Sequence, residues 1–154
     1  MKIRKATISD VPRLIDLLHQ VNMVHHRLRP DLFKPNTTKY SETDLCDLLM
    51  SDTSPIFVYE DVRVVGYAFC SLREVSNDML LNDNKTLYVD DLCVDESVRG
   101  AHVGKALFDH VRQYAHAVGC SSITLNVWAG NEAAIAFYEK MGMHVKKTEM
   151  EYLL

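Results

Sequence analysis

The stretch YVDDLCVDESVRGAHVGKALFDHV, Tyr88 to Val111, decides how this chain is read. It opens as a β-strand, with Tyr88, Val89, Leu92, Cys93 and Val94 apolar or β-branched, and closes on the polar cluster Asp95-Glu96-Ser97. A helical period follows, placing Val103, Leu107, Val111, Ala115 and Val118 on one face. Between strand and helix lies Arg99-Gly100-Ala101-His102-Val103-Gly104-Lys105. Such a turn predicts an anion site, because the free N–H groups and the dipole of a helix start point at whatever lies there. Glycine lets the main chain approach a phosphate with no Cβ in the way. The expected ligand is a pyrophosphate.

Three nucleotide turns compete for that reading. A Walker loop needs four residues between its first glycine and Gly-Lys, then Ser or Thr for magnesium. Here three residues separate Gly100 from Gly104, and Ala106 follows Lys105. The dinucleotide fingerprint G-x-G-x-x-G is absent. The remaining pattern is Arg/Gln-x-x-Gly-x-Gly/Ala after a hydrophobic strand. Arg99 through Gly104 follows it with one departure, His102 at the place of the first glycine. A second block, Asn126-Val127-Trp128-Ala129-Gly130-Asn131 followed by Ala136-Phe137-Tyr138-Glu139-Lys140-Met141-Gly142-Met143, carries the same likeness. Together the two blocks resemble the GNAT superfamily of N-acetyltransferases.

The resemblance implies acetyl-CoA as co-substrate, with no metal. Leu92, Cys93 and Val94 would offer main-chain groups to the pantetheine arm, like an added strand. Arg99, Gly100, Ala101, His102, Val103, Gly104 and Lys105 would wrap the pyrophosphate by amides, with Arg99 and Lys105 as cations. Asn131 would cap its helix or bond the pantetheine amide, capping being the safer role. Tyr138 would protonate the departing thiolate, with Phe137 as the core aromatic. Around Tyr88-Val89-Asp90-Asp91-Leu92 the likeness is to the diamine (spermidine/spermine) N-acetyltransferases, which implies Asp90 as the acid that helps deprotonate the amine. Adjacent carboxylates in a buried strand are costly unless solvated or paired. Strand alternation predicts that only one of Asp90 and Asp91 looks into the cleft.

The chain has 154 residues and a mass of 17.6 kDa, enough for one domain, 1–154, with a sizeable core. Its formal charge of −4 argues against nucleic acid as the main partner and provides no polybasic membrane patch. Coenzyme A is strongly anionic, so its attraction must be local. The start MKIRKATISD lacks an apolar signal-like run, and no stretch reaches transmembrane length. The cysteines Cys46, Cys70, Cys93 and Cys120 are widely spaced, which reads as reduced thiols in a cytoplasmic protein.

In chain order, Lys2–Ala6 reads as a strand. Ser9 or Asp10 then caps a helix with Val11, Leu14, Ile15, Leu18 and Val21 on one face. Pro30 and Pro35 forbid regular helix in the loop that follows, and a second helix starts at Ser41. Strands at Pro55–Glu60 and Val64–Leu72, a polar loop at Val75–Lys85, the central strand and its helix, a strand at Ser122–Val127, a helix at Asn131–Met141 and a last strand at Met143–Tyr152 complete the order. This is an α/β sandwich, β-α-α-β-β-β-α-β-α-β, a mixed sheet with helices on both faces, which is the GNAT order.

His25 and His26 face about 100° apart on a helix and do not converge on a metal. By family analogy their helix end and the loop at Leu28–Pro35 border the acceptor pocket, so His26, Arg29 and Asp91 are the substrate-side candidates. Tyr40 and Trp128 read as packing. The apolar last strand, with Met150, Tyr152, Leu153 and Leu154, suggests a homodimer edge. The expected activity is direct transfer of acetyl from acetyl-CoA to the primary amine of a small molecule, a polyamine or an amino-acid-like amine. Acetylation of a protein or peptide, at its N-terminus or a lysine, and a non-catalytic acyl-CoA-binding module are the alternatives.

Overall fold

A computed structural model describes residues 1–154. Its strands β1 (Lys2–Lys5), β2 (Ile56–Glu60), β3 (Val64–Val75), β4 (Asn84–Val94) and β5 (Ser122–Leu125) form one sheet in that spatial order. The first four pair antiparallel, and β4 and β5 run parallel. The crossover between them is α3 (Val103–Ala117). α1 (Val11–Leu28) and α2 (Glu42–Leu49) cover one face, and α3 covers the other with α4 (Glu132–Lys140) beside it.

Alternation along the strands builds both cores. Ile56 and Val58 of β2, with Tyr67 and Phe69 of β3, meet Leu14, Leu17, Leu18 and Leu45 of α1 and α2. Phe57, Ala68 and Cys70 point the other way, against Val111 and Ala115 of α3. Each fully buried leucine contributes about 1.5–3 kcal/mol, and Leu14, Leu17, Leu18, Leu87 and Leu107 are all sealed from solvent. At Gly66 an added Cβ would lie 3.0 Å from the Cys93 carbonyl oxygen and 3.1 Å from Leu107. Glycine there lets the start of α3 seat on the sheet.

The helix starts follow their capping chemistry. The Ser41 hydroxyl accepts from the Asp44 amide while the Asp44 carboxylate accepts from the Ser41 amide. Asp10 is buried and accepts from the Thr7 amide and from Arg4, which also grips Glu60. No helix is long and apolar enough to cross a membrane.

Two expected elements differ. The loop expected at Val75–Lys85 forms over 76–83, shortened at both ends because β3 runs on to Val75 and β4 already starts at Asn84. Cross-strand partners outweigh the weak strand propensity of these polar residues, as in the Glu74–Lys85 pair at 3.5 Å. The last strand, expected at Met143–Tyr152, does not form, and Val145, Met150, Tyr152, Leu153 and Leu154 are exposed. Lys146, Lys147, Glu149 and Glu151 break its apolar alternation, so neither face can seat on the sheet, and Glu151 is instead held by Arg29.

Candidate active site

β4 and β5 pair only from Thr86 opposite Ser122 to Val89 opposite Leu125. Beyond that point β4 continues to Val94, paired with β3 alone. The edge of Asp90–Val94 that faces β5 is therefore unpaired, and the sheet opens there. Leu92, Cys93 and Val94, the expected pantetheine contacts, keep their side chains in the cores. The Cys93 Sγ lies 3.6 Å from the Leu17 carbonyl oxygen, and burial pushes its thiol up to about 12.

On the α3 side of the opening the expected turn is a set of unpaired amides. No side chain caps α3, and the first amide bonded back is Ala106, to the His102 carbonyl at 3.0 Å. The N–H groups of Val103, Gly104 and Lys105 are thus left for a ligand. Gly100 has φ 86°, and His102 has φ 60° and ψ 12°. The histidine adopts the left-handed conformation that a glycine would hold there, which histidine tolerates better than most residues. Ala101 closes the turn through its amide to Val98. A Cβ on Gly104 would meet Phe137 at 3.5 Å and Val94 at 3.6 Å, ordinary contacts. Arg99 lies 3.7 Å from Glu96, and Lys105 lies 2.5 Å from Asp109, both at the surface.

On the α1/α2 side the expectation for Asp90 and Asp91 needs correcting. Phe69 pairs with Asp91 and Cys70 with Val89, leaving Asp90 unpartnered as a β-bulge. The bulge breaks the alternation, so both carboxylates face α1 and α2. Asp90 accepts from Lys39 Nζ at 2.7 Å and from the Tyr40 hydroxyl at 2.6 Å. Asp91 accepts from the buried Tyr67 hydroxyl at 2.8 Å. Burial pushes the Asp91 carboxyl up to about 6, against the opposing pull of that hydrogen bond. Tyr40 is more than packing. Its ring stacks on Phe69 at 5.6 Å while its hydroxyl serves Asp90. Lys39, Tyr40 and Tyr67 are partners of these carboxylates that the sequence did not reveal, Tyr40 having read as packing alone. The two tyrosines carry the usual signal of a polar handle on an apolar ring, but nothing local ties them to Asp90 and Asp91.

A cavity of about 200 Å³ adjoins this face, with Asp90, Tyr88, Ser54, Ser71 and Arg73 in its wall. The Arg73 guanidinium lies 3.6 Å over the Tyr88 ring, while the neighbouring Glu74 pairs with Lys85 instead.

Tyr138 lies on α4, half-buried and packed against Phe137 at 5.1 Å and Phe108 of α3 at 6.2 Å. Burial, then the neighbouring Asp91, raises its phenol above the ordinary value, so it stays protonated. Asn131 caps α4, accepting from the Ala134 amide at 3.3 Å. His26 and Arg29 act as braces of the α1–α2 loop. His26 Nδ1 donates to the Phe33 carbonyl at 2.6 Å, and Arg29 grips Asp31 and Glu151. His25 packs on Phe33, and Trp128 meets Phe33 edge-on at 5.3 Å. No three His, Cys, Asp or Glu side chains gather as metal ligands would.

The geometry agrees with what the sequence matches. Residues 21–143 fit the model of the acetyltransferase (GNAT) family, and the chain belongs to that family. The BH1408 protein of Bacillus halodurans, solved as a mutant, superposes with a TM-score of 0.96 at 31% identity, over 100% of this chain and 99% of that one. Among curated proteins, the uncharacterized N-acetyltransferase MJ1207 of Methanocaldococcus jannaschii is 28% identical over 69% of this chain and 46% of its own length. Glucosamine 6-phosphate N-acetyltransferase 1 of Dictyostelium discoideum is 27% identical over 68% of this chain and 64% of its own. The chain thus spans about half to two thirds of these two curated relatives.

Proposed function

We propose that this family member moves an acetyl group from acetyl-CoA to the primary amine of a small molecule by direct attack. The observation that carries the reading is the opening of the sheet at Asp90, with unpaired amides on one side and two carboxylates on the other. The Val103, Gly104 and Lys105 amides would receive the pyrophosphate, with Arg99 to His102 shaping the turn. The unpaired edge of Leu92 to Val94 would receive the pantetheine arm. Asn131 would serve by holding the start of α4.

An alkyl ammonium with a pKa of about 10.4 is neutral in only about one molecule in 10³ at pH 7, a deficit of roughly 4 kcal/mol. Asp90 binds the ammonium and passes its proton toward water, and the Tyr67–Asp91 pair is a second proton holder beside it. The amine nitrogen then bonds to the thioester carbonyl carbon. As the C–S bond breaks, Tyr138 donates its proton to the sulfur, while the nitrogen sheds its second proton to solvent, from which the phenol is restored. An acetyl-enzyme is disfavoured, because burial pushes the Cys70 and Cys93 thiols up to about 12 and leaves no thiolate to attack.

The cavity places a carboxylate, Asp90, and a guanidinium, Arg73, in one wall. That pairing favours an acceptor with both an ammonium and an anionic group over a polyamine. It is in keeping with a relative named for glucosamine 6-phosphate. A thiol-release assay over amino-sugar phosphates, amino acids, polyamines and peptides tests both points. Turnover should be greatest with an anionic amine, and Arg73→Ala should raise its KM by about tenfold or more. Equal turnover of spermidine would overturn the acceptor class. Acetyl-CoA binding with no thiol release from any amine would mean a binding module instead.

A further inference from the structure

The loop joining α1 to α2 already brings an amine to the position where the proposed reaction needs one. Lys39 Nζ lies 2.7 Å from one Asp90 oxygen, and the Tyr40 hydroxyl lies 2.6 Å from the other. Asp90 is the first residue of β4 beyond the last pair with β5, so this contact stands at the mouth of the opening. The Lys39 side chain is 50% exposed and approaches from the loop, free to lift away. The other ion-paired lysines, Lys2, Lys85 and Lys105, meet Glu60, Glu74 and Asp109 instead. Lys39 is therefore the one lysine paired with a carboxylate at the opening.

We propose that Lys39 is itself an acetyl acceptor, modified within the same chain when an acyl thioester is bound and no substrate amine fills the site. This rests on the transfer reading above. The Lys39 ammonium gives its proton to Asp90 and thence to water. Its Nζ bonds to the thioester carbonyl carbon and sheds its second proton to solvent, the C–S bond breaks, and the thiolate takes the Tyr138 proton, which solvent restores. The product amide carries no charge and no longer pairs with Asp90. Acetylation therefore frees that carboxylate for a substrate ammonium, and the modified chain is the better enzyme toward small amines.

Incubation of the purified protein with acetyl-CoA alone, followed by intact and peptide mass spectrometry, tests this. One acetyl group should appear on the peptide containing Lys39, at a first-order rate independent of protein concentration. Asp90→Asn should slow it by about tenfold or more. Acetylation spread at similar rates over exposed lysines such as Lys2 and Lys146, or a rate that grows with protein concentration, overturns the proposal. Lys39 left unmodified after incubation with acetyl-CoA alone, in protein that releases thiol once an amine is added, overturns it alone and leaves the transfer reading standing. Absence of thiol release with every amine overturns the transfer reading, and self-acetylation with it.

Discussion

On the α3 side of the sheet opening, the groups offered to a ligand are main-chain amides at Val103, Gly104 and Lys105. On the α1/α2 side they are side chains, the carboxylates of Asp90 and Asp91 with Lys39, Tyr40 and Tyr67 around them. The first side is built within one turn of chain and asks little of side-chain identity. That is why His102 can stand where a glycine is expected. The second is assembled from a loop, β3 and β4, and each member depends on residues distant in sequence. Substitutions should therefore act on binding at the first side and on proton handling at the second.

The largest effect is expected at Tyr138, the proposed proton donor to the leaving thiolate. Tyr138→Phe should lower kcat by about 10²-fold or more while acetyl-CoA affinity barely changes. Its phenol is kept protonated by burial, so the proton it carries is available throughout the working range. Full kcat in the variant would mean that the thiolate leaves without its help. On the amide side, Gly104→Pro removes one N–H donor and adds a ring beside the ligand. Proline is tolerated in a first helical turn, so the fold should survive. Calorimetry should show acetyl-CoA binding weakened by about 10- to 100-fold. Unchanged affinity, with the circular dichroism intact, would remove the turn from the binding site.

The amide side was legible because its determinants are consecutive. A strand, a polar stop, two glycines and an amphipathic helix can be read directly from Tyr88 to Val111. The boundaries of α4 and its Asn131 cap were legible for the same reason. The carboxylate side was only half legible. Asp90 and Asp91 stood out as acids in an apolar strand, but strand alternation separated them and the bulge at Asp90 reunited them. A bulge leaves no mark in a single sequence when neither neighbour is glycine. Lys39 and Tyr40 lie in the loop between two prolines and a helix cap, where no period constrains direction. The last strand failed for the opposite reason. Its apolar residues were visible, but whether they find a partner is a question of tertiary contacts that local pattern does not answer.

Asp91 sharpens the contrast through pH. Its native value of about 6 lies above its ordinary 3.8, so the native state holds this proton more tightly than the unfolded chain does. The stabilising contribution is complete below about pH 4 and is lost as pH rises through about 6. Asp91→Asn cannot ionise, so it should gain on the parent across that window, by about 1–2 kcal/mol at neutral pH once partial solvent access is allowed for. Denaturant titrations at several pH values read this directly. If ionised Asp91 holds the amine's proton, the acid limb of kcat/KM near pH 6 should also vanish in the variant. A limb that persists would return that role to Asp90 alone.

The smallest effect is expected at His102, and it separates backbone from side chain on the amide side. At φ 60° a residue with a Cβ pays about 1 kcal/mol that glycine avoids. Glycine brings back a cost of about 0.5–1 kcal/mol, because the unfolded chain gains freedom at that position. The two nearly cancel, so His102→Gly should change stability by no more than about 0.5 kcal/mol. Acetyl-CoA affinity should stay within about twofold if only the main chain at this position matters. His102→Ala keeps the strain and removes the imidazole, so it should be the less stable of the two variants while binding equally well. A fall in affinity shared by both variants would assign the imidazole a contact with the coenzyme, and the amide side would then depend on a side chain as the carboxylate side does.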